Sequence, residues 1–406
     1  MTGRHEIGTE PAHTRAKDPR SVPVGGLAAP YGGRGPGGGS RGDVRHLYVH
    51  LPFCAHRCGY CDFVTVVGRA RQHGAYVDAL LAELALEREL LKAAPETIFL
   101  GGGTPTFTAP AELARLLGAL PPTHELTIEA NPETVTPELA ALLREHGVNR
   151  VSLGAQSFQP HLLETLERRA SPPTVRRAFT TLREAGCENL SLDLVYGIPG
   201  QTVADLERDL AEAVALAPEH LSCYELEAKP GTRFTHAHGD ELGRQEEAME
   251  GYFERVVETL TAAGYRWYET ANFCRHDTRD LRAQHNLAYW RGRDYLGLGV
   301  GAVSTVNGFR WRNAPSLHRY IAALERGERP ERELEPLDED VQARERLLLG
   351  LRLDEPLATA GVDAAFDRDA LSRLERQGLV ASRGATLTLT RRGRFLGGGV
   401  TAELLA

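Results

Sequence analysis

The sequence predicts an α/β fold in which six strand and helix units form an incomplete parallel barrel, followed by a smaller helix-and-hairpin module. Six short apolar runs alternate with segments whose apolar residues recur at helical spacing. No two-residue turn signal joins consecutive runs, so the strands are expected to be parallel and connected by helices. The chain has 406 residues, 42% of them hydrophobic, which is enough for the cores of about two or three domains.

The predicted strands are short and bounded by turn residues. They occupy residues 47–50, 97–100, 126–130, 150–154, 190–196 and 220–226. After the first strand, an apolar stripe that begins at Val77 and Leu80 predicts a helix over 76–92. A closed barrel of this type has about eight units. Six units therefore predict a partial barrel with one open side, which would suit a large substrate.

Composition divides the chain into five segments. Residues 1–44 are expected to be a disordered extension, because the stretch 22–42 is dominated by Gly and Pro and buries too little surface to offset its ordering entropy. The other predicted segments are, in order, the barrel (45–226), an extension (227–324), a charged linker (325–340) and a C-terminal module (341–406).

The C-terminal module has the pattern of a winged helix. Helical patterns at 341–351 and 369–377 precede a hairpin-like stretch at 379–395, with Gly384 at its turn. Winged helices often bind DNA, but the arginines that end at Arg394 are mixed with many acidic residues. A packing or partner role is therefore expected for this module.

The charge balance gives no reason to expect nucleic acid or an anionic membrane as a partner. The net charge is −8, from 47 basic and 55 acidic residues. No apolar run reaches the roughly 18 residues of a transmembrane helix, and the first residues lack the apolar core of a secretion signal. We therefore expect a cytoplasmic chain, in which cysteines stay reduced and can bind iron.

Three closely spaced cysteines are the strongest chemical feature of the chain. Cys54, Cys58 and Cys61 have the spacing Cys-x3-Cys-x2-Cys. Three soft thiolate ligands suit a [4Fe-4S] cluster whose fourth iron stays open for reaction. The alternative is a structural zinc, but zinc takes four ligands, His56 lies inside the loop, and no second ligand pair follows. The other cysteines are isolated and are expected to be small buried residues: Cys187, Cys223 and Cys274.

A polar or glycine-rich feature lies at the end of each of the first five predicted strands. After the cysteine loop come the glycines of 101–105, then Glu129, Gln156 and Asp193. Parallel barrels place their chemistry at the carboxyl ends of the strands, so we expect these features to converge. A buried carboxylate such as Glu129 needs a partner, and a salt bridge is the alternative to a ligand role. Arg168 can bind a carboxylate through two hydrogen bonds, although an isolated Arg on a helix is usually solvated.

The cysteine loop, with Tyr60 before the third cysteine, resembles that of the radical S-adenosylmethionine (SAM) enzymes. Five stretches together resemble the oxygen-independent coproporphyrinogen III oxidase family in the broad sense: 48–54, 101–106, 128–132, 152–158 and 193–200. The resemblance runs from about residue 47 to the C-terminus. It implies a partial (β/α)6 barrel of the radical SAM type that holds a [4Fe-4S] cluster and SAM, which is cleaved to a 5′-deoxyadenosyl radical. It also implies that the following residues contact SAM: Tyr48, Tyr60, Gly102, Gly103, Thr104, Glu129, Gln156, Arg168 and Asp193.

Two branches of this family differ in their motifs. The oxidases have a further cysteine two residues after the third, whereas Asp62 and Phe63 follow Cys61 here. The heme chaperones of the HemW type carry the signature His-Asn-x-x-Tyr-Trp, which this chain has at 285–290. Imidazole is the commonest axial ligand of heme iron, so His285 is the candidate ligand, with a core or surface histidine as the alternative.

The chain departs from the family pattern at two histidines. Ala170 stands where a histidine usually follows the Arg168 stretch, and Val303 stands in the usual Gly-Ala-His-Ser motif. These changes leave the cysteines and most SAM contacts in place. They affect any heme coordination or proton transfer that depends on those two histidines.

The resemblance implies a heme chaperone that binds heme and passes it to hemoprotein acceptors. It further implies an electron donor such as flavodoxin or ferredoxin, and peripheral association with membrane hemoproteins. One alternative function is the oxidative decarboxylation of coproporphyrinogen III. The other is a zinc-stabilised interaction protein.

Overall fold

The computed structural model describes residues 43–229 and 233–405. Residues 1–42 of the expected disordered extension lie outside the described residues, whereas Val44, its last residue, is buried and pairs with Leu91. The strands are β1 (His46–Leu51), β2 (Phe53–Cys54), β3 (Val66–Val67), β4 (Thr97–Gly102), β5 (Glu125–Ala130), β6 (Arg150–Gln156), β7 (Leu190–Tyr196), β8 (His220–Glu225), β9 (Tyr265–Trp267), β10 (Asn272–Arg275), β11 (Leu296–Leu298), β12 (Val303–Val306), β13 (Phe309–Asn313), β14 (Arg332–Pro336), β15 (Leu357–Ala358), β16 (Val380–Arg383) and β17 (Thr386–Leu389).

The helices connect these strands and cover the outer face of the sheet. They are α1 (His73–Glu87), α2 (Pro110–Ala119), α3 (Pro137–Glu145), α4 (Pro160–Thr165), α5 (Pro172–Glu184), α6 (Val203–Ala215), α7 (Arg233–Ala262), α8 (Gln284–Trp290), α9 (Leu317–Glu325), α10 (Glu339–Gly350), α11 (Arg368–Arg376), α12 (Arg391–Phe395) and α13 (Gly397–Leu404). Among the described residues, no helix is long and apolar enough to cross a bilayer.

The central sheet contains nine strands in the order β11-β1-β4-β5-β6-β7-β8-β10-β9. All six predicted strands are present as β1 and β4 to β8, and each pairs in parallel with its neighbour. The predicted partial parallel barrel is therefore confirmed. The sheet also has two additions that were not predicted. β11 pairs in parallel with β1, and the antiparallel pair β9 and β10 extends the sheet beyond β8.

Alternation along each strand separates an apolar outer face from a polar interior. On β1, Leu47, Val49 and Leu51 are fully buried in the main core, which also contains Leu80 of α1. The intervening residues face the barrel interior. The register aligns four such residues across adjacent strands: Tyr48, Phe99, Thr127 and Arg150.

The segment after the barrel contains an interrupted helix and a strand where a linker was expected. α7 is interrupted at His238, which has a φ of −124° and a ψ of 15°. β14 lies inside the stretch 325–340 that the charge pattern marks as a linker. It pairs with β13, and its Arg332 donates to Asn313 Oδ1 at 3.1 Å and to Glu87 Oε1 at 2.9 Å, which fixes this stretch to the barrel.

The C-terminal module contains the two predicted helices, α10 and α11, and a hairpin of β16 and β17. β15 adds a third strand to the hairpin. The end of the predicted hairpin is instead the helix α12, because the Thr390 hydroxyl accepts a hydrogen bond from the Gly393 N–H at 3.1 Å and so caps a helix. The module has its own apolar cluster, which includes Leu347, Leu374 and Leu387.

Candidate functional site

The cysteine loop follows β1 at the carboxyl end of the barrel. Cys54 is buried, Cys58 and Cys61 are partly exposed, and all three are free thiols. Two of the sulfur atoms face hydrogen-bond donors from other loops. Thr104 Oγ1 lies 3.5 Å from Cys54 Sγ, and Arg168 Nη1 lies 3.6 Å from Cys58 Sγ. Hydrogen bonds from such donors can hold the sulfur ligands of a metal centre in place.

The three thiols fit the ligand set of an iron–sulfur cluster. Burial raises the pKa of Cys54 and Cys61, and coordination to a metal is what deprotonates thiols in such surroundings. Within the described residues, no three His, Cys, Asp or Glu side chains surround a single ion position. In a cluster each thiolate binds a different iron, so its sulfurs do not converge on one atom.

The glycine strip after β4 brings backbone against β1. Gly102 has a φ of 108°, and a Cβ there would lie 2.5 Å from Nδ1 of His50. A Cβ on Gly103 would lie 2.6 Å from the carbonyl carbon of Pro52. Neither position leaves room for a side chain, so these glycines are needed for packing as well as for backbone freedom.

His50 ties the segment after the cysteines to β1, and sequence reasoning did not identify it. Its Nε2 lies 2.8 Å from the Val64 carbonyl oxygen, and its Nδ1 lies 3.0 Å from the Tyr48 hydroxyl. Because a carbonyl only accepts, Nε2 carries the proton and the Tyr48 hydroxyl donates to Nδ1. Burial lowers the pKa of His50, which keeps the ring neutral.

Glu129 and Asp193 both point into the barrel interior near its carboxyl end. Glu129 Oε2 accepts from the Gly102 N–H at 3.1 Å, and both oxygens of Asp193 lie 3.0 Å from the Ser152 hydroxyl. Burial raises the pKa of Glu129 to about 7, and the charge of Asp193 adds to the rise. Burial also raises the pKa of Asp193. A ligand ammonium group placed here would lower both pKa values, so the pair suits a cationic ligand.

Arg150 is a cation in the interior that the sequence reasoning missed. The residue is 2% exposed, and its Nε has no hydrogen-bond partner among the described residues. Its charge opposes the rise in the pKa of Glu129 and of Asp193. Neither carboxylate forms an ion pair with it, so the salt-bridge alternative for Glu129 does not describe this arrangement.

Arg168 is held by hydrogen bonds and is not a solvated helix residue. Its Nη2 donates to Asn131 Oδ1 at 2.8 Å and to the Gly154 carbonyl oxygen at 2.9 Å. Asn131 Nδ2 in turn donates to Thr104 Oγ1 at 2.9 Å, and that hydroxyl faces Cys54. Asn131, which the sequence reasoning did not single out, thus connects the arginine to the cysteine loop.

Gln156 and Tyr60 complete the carboxyl end. Gln156 has a φ of 65° at an irregularity between β6 and β7, a conformation that a non-glycine residue adopts only under strain. Tyr60 stands edge-on to Phe234, with ring centroids 6.4 Å apart. Gln156, Glu129 and Asp193 lie on β6, β5 and β7, at the same edge of the barrel as the cysteine loop.

The two positions that depart from the family pattern lie apart from one another in the chain and differ in burial. Ala170 is 5% exposed just before α5, and Val303 begins β12 with partial exposure. The Val303 carbonyl crowds the position of a Cβ on Gly297, so this strand packs directly on β11.

His285 lies at the opposite, amino end of the barrel. The N–H groups of Gln284 and His285 each donate to the Glu125 carboxylate at 3.0 Å, and His285 Nδ1 lies 2.7 Å from Thr97 Oγ1. Glu125 and Thr97 are the first residues of β5 and β4. A strand of six residues spans about 20 Å, so His285 is well separated from the cysteine loop.

Both ring nitrogens of His285 are occupied. Besides the contact of Nδ1 with Thr97, Nε2 lies 2.8 Å from the Tyr289 hydroxyl, and the residue is 1% exposed. Burial lowers the pKa of His285 to about 3, and the neighbouring His46 contributes. In this conformation neither nitrogen is free to bind iron.

Sequence comparisons place the chain among known proteins. The model of the radical SAM superfamily matches residues 48–213, and that of the HemN C-terminal domain matches residues 337–396. A protein named heme chaperone HemW from Mycobacterium tuberculosis is 37% identical over 372 residues, which cover 88% of this chain and 94% of the relative. The protein of the same name from Bacillus subtilis is 34% identical over 387 residues, with 89% and 99% covered.

The chain belongs to the HemW family. A [4Fe-4S] cluster and SAM are the cofactors that the radical SAM match implies. The HemW protein of Escherichia coli is 36% identical over 273 residues, which cover 64% of this chain and 70% of the relative. The three isolated cysteines are buried as predicted: Cys187, Cys223 and Cys274.

A solved structure supports the fold of this HemW family member. Coproporphyrinogen III oxidase (HemN) from Escherichia coli, described as a radical SAM enzyme, superimposes with a TM-score of 0.75 over 90% of this chain and 91% of that one. Its sequence identity is 24%, so the likeness is one of fold. The radical SAM type of partial barrel and a C-terminal module like that of the HemN family are thereby confirmed.

Proposed function

We propose that this chain is a heme chaperone that binds heme and passes it to hemoprotein acceptors. The observation that carries the proposal is the 33–37% identity to proteins named heme chaperones. The signature at 285–290 supports it, because it supplies an imidazole with two neighbouring aromatic rings that can cover a porphyrin.

At the carboxyl end of the barrel, we propose that Cys54, Cys58 and Cys61 hold the [4Fe-4S] cluster. When bound, the cluster supplies one-electron chemistry to SAM at its open iron. Arg168 and Thr104 stabilise the thiolates, since each lies against one of the sulfur atoms. Family membership favours this ligand set over the zinc-stabilised alternative.

SAM is proposed to bind beside this loop. Glu129 and Asp193 attract its ammonium group, while Arg168 binds its carboxylate through the guanidinium that Asn131 orients. The backbone of the glycine strip approaches the ligand closely. The full set of proposed contacts is Tyr48, Tyr60, Gly102, Gly103, Thr104, Glu129, Gln156, Arg168 and Asp193.

At the amino end, we propose that His285 becomes the heme ligand only after α8 moves. Its two nitrogens are hydrogen-bonded to Thr97 and Tyr289 in the closed arrangement. Moving α8 must also break the two hydrogen bonds that Glu125 accepts at the start of this helix. Heme loading is therefore proposed to be coupled to the opening of α8.

The proposed partners extend beyond heme and its acceptors. An electron donor such as flavodoxin or ferredoxin would reduce the cluster. Peripheral association with membrane hemoproteins would place the chain near acceptors, and a cytoplasmic location suits a protein whose cysteines must stay reduced.

Hemin titration of matched variants tests the proposal. His285→Ala should lose the axial ligand and shift the heme absorption bands, whereas the exposed His318→Ala should not. Tyr289→Phe frees Nε2 of His285, so it should bind hemin about 2- to 10-fold more tightly, the effect of one hydrogen bond. An unchanged spectrum in His285→Ala would reject His285 as the ligand.

The same anaerobic preparation separates a chaperone from an oxidase. Coproporphyrinogen III, SAM and a reductant are added, and the products are analysed beside the hemin titration. We expect hemin binding without formation of protoporphyrinogen IX. Conversion of coproporphyrinogen III by the wild-type protein would contradict the chaperone proposal.

A further inference from the structure

The signature helix α8 is covered by a short segment of the C-terminal module. Residues 352–355, here called the latch, follow α10 and contact both the barrel and α8. The side chain of Leu353 is 4% exposed in a cluster with Tyr268 and Leu287. The latch therefore closes over one face of the helix that carries His285.

The first latch residue lies on the tryptophan of the signature. The Arg352 guanidinium stands 4.4 Å from the centroid of the Trp290 ring and is anchored by Glu269 Oε1 at 2.7 Å. Among the described residues, the indole N–H of Trp290 is buried without an acceptor. The aromatic face that would meet a porphyrin is thus occupied by a cation of the same chain.

The last two latch residues place adjacent carboxylates on arginines of the barrel. Asp354 accepts from Arg266 Nε at 2.7 Å and from Nη2 at 2.9 Å. Glu355 accepts from Arg291 Nη2 at 2.8 Å and also from Arg282 Nη1. Arg291 directly follows the signature, and Arg282 lies three residues before His285.

Two features separate this arrangement from ordinary ion pairs between domains. The carboxylates are consecutive in sequence, and Glu355 meets the two arginines that flank α8, while Asp354 meets Arg266 of β9. Within the described residues, Asp354 is the carboxylate hydrogen-bonded to Arg266, and Glu355 is the one hydrogen-bonded to Arg291. If the latch left, both arginines would lose their partner and would be free for another pair of carboxylates.

We propose that Asp354 and Glu355 stand in for the two propionates of heme, and that heme loading displaces the latch from Arg266, Arg282 and Arg291. This inference rests on the proposed heme-binding function and adds to it the groups that recognise the porphyrin's carboxylates. The same displacement uncovers Trp290 and releases α8, so that His285 is freed as the propionates take the place of the latch. Heme is therefore recognised and α8 is opened in the same step, in which the propionates replace the carboxylates of Asp354 and Glu355 on the arginines.

The test compares hemin with hemin dimethyl ester, which lacks free carboxylates. Asp354→Asn with Glu355→Gln keeps the shape of the latch and removes its charge. In the wild type, hemin can bind only the fraction of molecules whose latch is open, and this lowers the apparent affinity. The double variant should have a larger open fraction and should therefore bind hemin about tenfold more tightly than wild type. Its affinity for the dimethyl ester should rise by a similar factor, because the ester also binds only the open protein, but each protein should bind the ester more weakly than hemin. Arg291→Gln removes a partner of the latch as well as a partner of the propionates, so it should reduce the preference of the protein for hemin over the ester.

The matched control is Asp78→Asn with Glu212→Gln, which removes an Asp and a Glu that pair with arginines elsewhere on the surface. It should bind hemin as the wild type does. Hydrogen exchange at 284–290 should accelerate in the latch variant without heme. Equal hemin affinity of latch variant, control and wild type would overturn the latch inference and leave the chaperone proposal standing. No hemin binding in any of them would overturn both.

Discussion

The two ends of the same barrel are built in opposite ways. The carboxyl end contains tightly packed glycines, free thiols and two buried carboxylates with raised pKa values. A metal centre could bind the thiols, and a cationic ligand could pair with the carboxylates. At the amino end, α8 is hydrogen-bonded to the first residues of β4 and β5, and both ring nitrogens of His285 have hydrogen-bond partners. The carboxyl end is prepared for binding as it stands, whereas the amino end must open first.

Electrostatics extends this contrast, because acid acts on the two ends with opposite sign. The raised pKa of Glu129 means that the folded state holds a proton there more tightly than the unfolded chain does. The lowered pKa values of His46, to about 4, and His285, to about 3, mean that the folded state excludes protons at the amino end. Lowering the pH therefore stabilises one end and destabilises the other.

The largest expected effect is the loss of the cluster when any one of Cys54, Cys58 or Cys61 is replaced by Ala. Each thiolate is proposed to bind a separate iron, so the other two cannot hold the cluster. Iron and sulfide analysis after anaerobic reconstitution should show almost none of either in these variants. The buried Cys274→Ala is the control and should keep its iron. Full iron and sulfide in a loop variant would reject the ligand assignment.

Gly102→Ala should produce the next largest effect. The new Cβ would overlap the His50 ring at a φ of 108°, and strain plus overpacking should lower the free energy of unfolding by about 3 kcal/mol. Gly147→Ala is the matched control, with a φ of 77° and nothing within 4 Å, and should cost only about 1–2 kcal/mol. Urea unfolding measures both. If both variants lowered the free energy of unfolding equally, the overlap with the His50 ring would not contribute to the destabilisation.

The contrast also explains which features the sequence predicts. The carboxyl-end residues lie at the ends of successive parallel strands, and such strands end at one edge, so the order of Gly102, Glu129 and Asp193 along the chain was enough to bring them together. Arg150 was missed because it begins a strand among apolar residues. Its interior position becomes visible only from the register with Thr127.

The placement of His285 could not be read from the sequence for a different reason. The signature is a local pattern, but α8 docks on Thr97 and Glu125, which are more than a hundred residues away and belong to other strands. The latch is equally non-local, since its acidic pair lies in a different domain from the arginines it meets. Local chemistry identified the imidazole, and tertiary packing determines whether it is accessible.

Glu129→Gln should raise stability and lower SAM binding, in a way that depends on pH. The folded pKa of about 7 lies above the ordinary value of 4.5, so the stability that protonated Glu129 contributes is complete below 4.5 and is lost as the pH rises through 7. Gln imitates the protonated form at every pH. Without SAM, the variant should therefore match the wild type at pH 5 and exceed it by about 1–3 kcal/mol at pH 8.

The control for this effect is the exposed Glu145→Gln, which should leave stability unchanged at both pH values. SAM affinity should fall in Glu129→Gln because the ammonium group loses a carboxylate. A variant that is no more stable than the wild type at pH 8 would show that ionising Glu129 costs the folded protein little free energy. The proposal that the carboxyl end favours a cationic ligand would then lose its support from the pKa of Glu129.

The smallest expected effect is the response of α8 to acid in the wild-type protein. Closed His285 stays neutral down to a pH of about 3, facing His46, Arg150, Thr97 and Tyr289, whereas in the open state it regains an ordinary pKa near 6.5. Protonation of the open state should increase its population about tenfold between pH 7.5 and pH 5.5, roughly 1.4 kcal/mol. Hydrogen exchange at 284–290, corrected for the intrinsic rate, measures this change. In His285→Gln the acid response should shrink to the part contributed by His46, and an unchanged response would mean that the amino end opens without exposing His285.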